Sequence, residues 1–337
     1  MRYLITNKTI SFLLFASFTI LISCTPIQLK PTPTAELNPS TEAQSLASSS
    51  TIKAVQKTPS SNVNLSKNLW SRLFSLYQFP TIENDRIQAE IDWYSKHPDY
   101  LIRVQQNAKP YLFHIVNEIE KRGLPGELAL LPIVESAYKP FAYSHGRAAG
   151  LWQFIPSTGI AYGLKQTWWY DGRRDVYAST NAALTYLTKL SKRFDDDWFL
   201  ALAGYNAGGG SVSSAMRKNR RLGHPSDFWA LSLRKETRHY VPKLIAIASI
   251  LANADKYNVT LIDIPNEPFF EKVNITKQLD LARAAELAEI SIEDLYILNP
   301  SFNQWATSPE GPHYLLLPVS KSADFKTKLA ALPDSQR

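Results

Sequence analysis

Apolar residues return every three or four positions through most of the chain beyond residue 66, and that period is helical. Leu69, Trp70, Leu73, Phe74 and Tyr77 form one stripe, stopped by Pro80, and Ile87, Ile91 and Tyr94 form another within Glu83 to Lys96. Tyr111, Leu112, Ile115, Val116 and Ile119 make a third, closed by Arg122-Gly123-Leu124-Pro125. A continuous apolar helix is expected over Gly126 to Tyr138. Further stripes run over Ala182 to Phe194, Trp198 to Ala203 and Tyr240 to Leu251, the last with Pro242 near its start, where a proline is tolerated. After Pro265 the texture changes. Phe269 to Ile275 and Tyr314 to Val319 read as strands, with two short helices, Leu281 to Ile290 and Ser291 to Leu298, between them. The pattern predicts a mainly α protein: a helical domain over 67–265, then a small α+β domain of strand, helix, helix and strand over 266–333.

The first 66 residues follow a different plan. Arg2 and Lys8 precede the apolar run Ile10 to Ile22, which is short for a membrane span, and Leu21-Ile22-Ser23-Cys24 follows. This resembles a bacterial lipoprotein signal; the other reading is an ordinary secretory signal with an incidental cysteine. The resemblance implies a leader over 1–23 and lipidation of Cys24, whose acyl chains would anchor the mature chain. Thr25, where inner-membrane lipoproteins typically carry Asp, favours the periplasmic face of the outer membrane in a Gram-negative envelope. Residues 24–66, rich in Pro, Ser, Thr, Ala and Gln without apolar period, read as a tether.

Composition removes alternatives. With 45% hydrophobic residues the chain is not compositionally disordered, and one cysteine rules out a disulfide scaffold or a thiolate zinc site. The formal charge of +7 falls to +5 without Arg2 and Lys8, a mild excess that selects no anionic partner; no nucleic acid is expected. The six histidines form no His-Glu-x-x-His pattern, so no metal is proposed. Asp195-Asp196-Asp197 lacks the Gly and distal Glu of a calcium loop and reads as a solvated helix end, and Gly208-Gly209-Gly210 lacks the Gly-Lys-Ser/Thr of a phosphate loop.

The candidate chemistry starts at Glu135. It ends an apolar segment, and burial disfavours an ionised carboxylate, raising its pKa toward that of a useful proton donor. Alone, that signal is equally an exposed glutamate at a helix end. Beyond it lie Ser144, then Gly150-Leu151-Trp152-Gln153, then Ala203-Gly204-Tyr205-Asn206-Ala207-Gly208. Glu135-Ser136 and these blocks resemble the signature segments of the goose-lysozyme-like lytic transglycosylases, over roughly Leu124 to Leu251. Trp152 stands where many relatives have Met, and Gly204 where Ala is frequent; Trp152 either is a variant found within this subfamily or alters the sugar subsites.

The resemblance implies that Glu135 is the single catalytic acid, protonating the oxygen between MurNAc and GlcNAc and then accepting the MurNAc C6 hydroxyl proton, with no water consumed. It implies substrate contacts for Ser144, Gln153 and Tyr205, with Asn206 and Tyr240 as further cleft candidates. Each has a plainer reading: Ser144 as a turn cap, Gln153 as a partner for backbone groups, Tyr205 as core, Asn206 as a loop holder. Trp168 and Trp169 are either sugar platforms or packing. Hydrolysis by the same fold would need a base, for which Asp171 and Asp175 are the nearest candidates. Ile290-Ser291-Ile292-Glu293-Asp294-Leu295 with Leu298-Asn299-Pro300 resembles a LysM-type module lacking the usual Gly-Asp-Thr-Leu opening, so it either binds glycan or is a structural copy. The expected partners are peptidoglycan strands and the lipid anchor; no cofactor is implied, and a monomer is the default.

Overall fold

Asn68 opens the described chain, residues 68–333 of a computed structural model. The leader, Cys24 and the tether lie outside the described residues. Asn68 accepts a hydrogen bond from Trp70 N at 2.8 Å and so starts α1 (Leu69–Ser75). α2 (Asp85–Ser95), capped by Asn84, α3 (Pro98–Ala108) and α4 (Leu112–Lys121) follow. α5 (Leu131–Ser136) and α6 (Pro156–Ala161) are short; α7 (Val176–Arg193) and α8 (Trp198–Ala207) start from the carboxylate caps Asp175 and Asp197. α9 (Gly209–Arg221) and α10 (Lys235–Ala252) complete the helical part. α4, α7, α8 and α10 bury Ile115, Ile119, Leu184, Leu187, Leu202, Leu244 and Ile247 in one core. Among the described residues no helix is long and apolar enough to cross a membrane.

Two expectations are corrected. The helix over Gly126 to Tyr138 is broken into a 3-10 segment, Gly126–Leu130, and α5, with Pro132 in the first turn of α5, where its missing N–H costs nothing. α10 begins five residues before Tyr240, so Pro242 lies inside the helix rather than near its start. Three amphipathic helices are not anticipated by the sequence pattern: α3, with Leu101, Val104 and Ala108 buried, α9, with Val212 and Met216 buried, and a final helix described below.

The C-terminal segment runs β1 (Phe270–Asn274), α11 (Leu281–Ala288), α12 (Ile292–Leu298), β2 (Tyr314–Pro318) and then the extra α13 (Val319–Ala331). β1 and β2 pair antiparallel, Phe270 opposite Pro318 and Asn274 opposite Tyr314. Asn299 ties α12 to β2, donating to Leu316 O at 2.8 Å and accepting from Leu316 N at 2.8 Å. Val273, Leu295, Leu315, Leu317 and Phe325 form a core of their own, joined by Tyr170 from the helical part, while Phe270, Leu298 and Leu316 extend into the main core.

Hydrogen bonds cross the same boundary. Tyr111 donates to Ile297 O at 2.7 Å, Tyr314 to Asp175 Oδ2 at 2.5 Å, and Asp171 N to Ser301 O at 2.8 Å. Removal of residues 269–337 is therefore expected to destabilise the helical part. Three large apolar side chains lost from the main core alone represent more than about 4 kcal/mol, or roughly 10 °C in melting temperature. A truncated chain that melts at the full-length temperature would contradict these contacts.

Candidate active site

α5 carries Glu135 to the edge of the core and then stops abruptly. Ala137 and Tyr138 turn the chain with φ of 52° and 57°, left-handed values that cost about 1 kcal/mol or more per non-glycine residue and persist only where packing enforces them. Packing does so here: Tyr138 is fully buried with its hydroxyl on Ala129 O, and Asn107 donates to Ala137 O at 2.9 Å. Ser136 is buried beside the acid, its hydroxyl reaching Pro132 O at 3.1 Å and Leu151 O at 2.9 Å, which pins the end of α5 to the Gly150–Gln153 turn. Two glutamates of this segment part ways. Glu127 is buried and accepts the backbone N–H groups of Gln78 and Phe79 at 2.8–3.1 Å, a structural role.

The turn is held from below. Arg173, itself buried, donates to Arg147 O at 2.6 Å and Phe154 O at 3.2 Å and is oriented by a two-pronged pair with Asp171. The loop bearing Asp171 in turn donates its N–H to Ser301, so the C-terminal segment braces the loop that braces the turn. Trp152 is fully buried, with its indole N–H on Thr180 Oγ1 at 3.0 Å. It faces the core, not a sugar subsite. Gly204 lies where a Cβ would come within 3.0 Å of Phe194 and 3.1 Å of Leu190, so the Gly suits the close approach of α8 to the end of α7.

Glu135, Ser144, Gln153, Tyr205, Asn206 and Tyr240 all line one cavity of about 520 Å³. Tyr240 donates its hydroxyl to Glu135 Oε1. Burial pushes the Glu135 carboxyl up to about 7; the Tyr240 hydrogen bond opposes this and the nearby Glu236 carboxylate adds to it. Burial, with Glu135 next to it, holds Tyr240 and Tyr205 well above the usual phenol range, so both stay neutral donors.

Several candidates hold structure as well as the cavity wall. Ser144 Oγ accepts from Ala148 N at 3.0 Å, capping its turn, and its proton remains available to a ligand. Gln153, at φ 48°, donates to Gly150 O at 2.8 Å and Ala142 O at 3.2 Å; its carbonyl oxygen is the group left for a ligand. Tyr205 spends its hydroxyl on Trp152 O at 2.8 Å, and its ring stands against Tyr186 and Phe154. Asn206 joins α8 to α10, donating to Glu236 Oε1 at 3.3 Å and accepting from Thr237 Oγ1 at 2.8 Å.

Asp171 and Asp175 do not line this cavity: one pairs with Arg173, the other caps α7 and takes the Tyr314 hydroxyl. Trp168 and Trp169 are not on its wall either; Trp169 meets Trp305 edge-on at 5.4 Å. Glu236 and Lys243 were missed as cavity residues. Their spacing with Tyr240, four and three residues along one helix face, was the available signal.

Comparison with known proteins identifies similar domains and chains. Residues 115–227 match the family described as Transglycosylase SLT domain, and residues 269–334 match Lytic transglycosylase MltD, LysM-like domain. The chain is 40% identical over 264 residues, 78% of its length, to membrane-bound lytic murein transglycosylase D of Escherichia coli, of which it spans 58%. It is 34% identical over 101 residues, 28% of its length and 21% of the relative's, to membrane-bound lytic murein transglycosylase F of Desulfosudis oleivorans. A solved lytic transglycosylase Slt from Pseudomonas aeruginosa is 23% identical over 44% of this chain and 25% of that one, with a TM-score of 0.31, too low to bear on the site. The chain therefore carries a transglycosylase SLT domain and, after it, a LysM-like domain of the lytic transglycosylase MltD type.

Proposed function

We propose that this chain is a lytic transglycosylase of the bacterial cell wall, cleaving the β-1,4 bond between MurNAc and GlcNAc in peptidoglycan and leaving 1,6-anhydroMurNAc ends. The observation that carries the reading is Glu135: a carboxyl on the wall of a cavity, its pKa pushed up to about 7, in hydrogen-bond contact with a neutral tyrosine. In its protonated form Glu135 gives its proton to the bridging oxygen as the bond to MurNAc C1 breaks, and GlcNAc leaves with a free hydroxyl. The carboxylate then takes the proton of the MurNAc C6 hydroxyl while that oxygen bonds to C1. Atoms balance without water, and the acid is restored.

Tyr240 holds the carboxyl in place, and Ser144 and the Gln153 carbonyl are offered to the substrate. A second reading, hydrolysis, rests on Glu236, the other carboxylate on the cavity wall. Cleavage in 18O-labelled water separates the two: transglycosylation leaves the new ends unlabelled, whereas label on C1 would establish hydrolysis.

The initial proton donor must be protonated, so activity should fall as pH rises through about 7. The Tyr240 hydroxyl favours the ionised form, so Tyr240→Phe should move that alkaline limb upward, by about one unit. A pH profile with an unmoved limb would remove Tyr240 from the account.

The same reading places the chain at the periplasmic face of the outer membrane, lipid-anchored through Cys24, with peptidoglycan turnover as its work. Cys24→Ser should release the protein into the soluble periplasmic fraction; continued membrane fractionation would contradict anchoring by that residue.

A further inference from the structure

α10 has two working faces. Glu236, Tyr240 and Lys243 line the Glu135 cavity, and Lys235, His239 and Lys243, spaced four residues apart, line a second cavity of about 700 Å³ beside it. Val134, Glu236 and Lys243 belong to both walls, so the two cavities adjoin across the end of α5. The far wall comes from α2 and α3, with Glu90, Trp93, Tyr94 and Tyr100. Trp93 leaves 48% of its surface exposed although its ring is fixed, stacked on His97 at 4.2 Å and edge-on to Tyr94 at 4.9 Å. None of these α2, α3 and α10 residues lies within 115–227.

The polar groups of this second cavity are unequally engaged. Glu90 Oε1 lies 2.8 Å from His239 Nδ1, and Glu236 accepts from Asn206. Lys235 and Lys243 make no hydrogen bond or ion pair among the described residues. A rigid aromatic face opposite two unengaged ammonium groups suits a ligand with an apolar stem and a carboxylate. We propose that this cavity binds the peptide substituent carried by the sugar at the cleft, with its carboxylates at Lys235 and Lys243 and its aliphatic portion on Trp93. The chain would then read the peptide as well as the glycan, through α10.

This inference rests on the proposed action on peptidoglycan, and its test is independent of turnover. Binding is measured by calorimetry on full-length Glu135→Gln protein, with a peptide-bearing glycan tetrasaccharide and with the same tetrasaccharide stripped of peptide by an amidase. The stripped glycan keeps its lactyl carboxylate, so the pair isolates the peptide. Lys235→Met and Lys243→Met should each weaken binding of the peptide-bearing fragment by about tenfold, the loss of one charge-assisted contact. Lys235→Met, which lies outside the Glu135 cavity, should leave binding of the stripped fragment unchanged, and the peptide-bearing fragment should lose more affinity with added salt than the stripped one.

Lys235 is exposed, so its substitution leaves packing intact and keeps the test decisive even if Lys243→Met disturbs α10. Equal weakening of both fragments by Lys235→Met, or of neither, would overturn the proposal. Failure of wild-type protein to form anhydro ends would instead count against the enzymatic reading, which the binding result does not decide.

Discussion

Glu135→Gln should lower release of anhydro-ended fragments from purified sacculi by about 10³-fold, the scale of losing a general acid. Glutamine keeps the shape of the side chain and can still meet the Tyr240 hydroxyl, so fold and substrate binding should survive. The same substitution has a signed effect on stability. Because burial raises the folded-state pKa of Glu135 to about 7 from an ordinary 4.5, the fold binds this proton more tightly than the unfolded chain does. Relative to an ionised reference, that contribution is fully present below pH 4.5 and is lost as pH rises through 7. Above pH 7 the native state holds a buried carboxylate, at a cost of up to about 3 kcal/mol. Glu135→Gln should therefore raise the denaturation midpoint above pH 7 and leave it unchanged near pH 4. A turnover loss of less than tenfold would remove Glu135 as the proton donor, and equal midpoints at pH 8 would contradict its burial.

Gly150→Ala should be the most damaging single methyl in the cleft. Gly150 has a φ of 80°, and a Cβ there would lie 2.1 Å from Arg173 O, with Arg173 C at 2.9 Å and Arg174 Cα at 3.0 Å. These are backbone atoms of a segment fixed by the buried Arg173–Asp171 pair, so no side chain can swing away. Left-handed strain and displacement of the turn together should cost about 4 kcal/mol, among the larger effects of a point substitution. The displaced turn also carries Gln153 and the Trp152 carbonyl that receives Tyr205, so residual activity should fall with stability. An unchanged urea midpoint would show that this approach is not as close as described.

Much of this site is legible in the chain because its parts sit on strongly patterned helices or on turns with fixed chemistry. The helical period places α7, α8 and α10, and burial around Glu135 follows from the apolar run that precedes it. Glu236 and Lys243 were not legible, because polar residues on an amphipathic helix point by default to solvent; only the packing of α5 against α10 turns that face into a cavity wall. Trp152 reads as a subfamily variant or as a change to a sugar subsite until Thr180, nearly thirty residues on, is seen to accept its N–H. The breadth of the C-terminal contact was hidden for a similar reason: Tyr170 looks like one member of an aromatic run, yet it packs with Phe302 and Leu315. Hydrogen bonds such as Tyr314 to Asp175 join residues far apart in sequence and leave no local periodic trace.

The measurement that tests the account most directly is mass spectrometry of fragments released from purified sacculi by the wild-type chain and by Glu135→Gln. The account predicts fragments lighter by one water than reducing-end muropeptides, abundant with the wild type and all but absent with the variant. Reducing-end fragments from the wild type, or undiminished release by the variant, would contradict it.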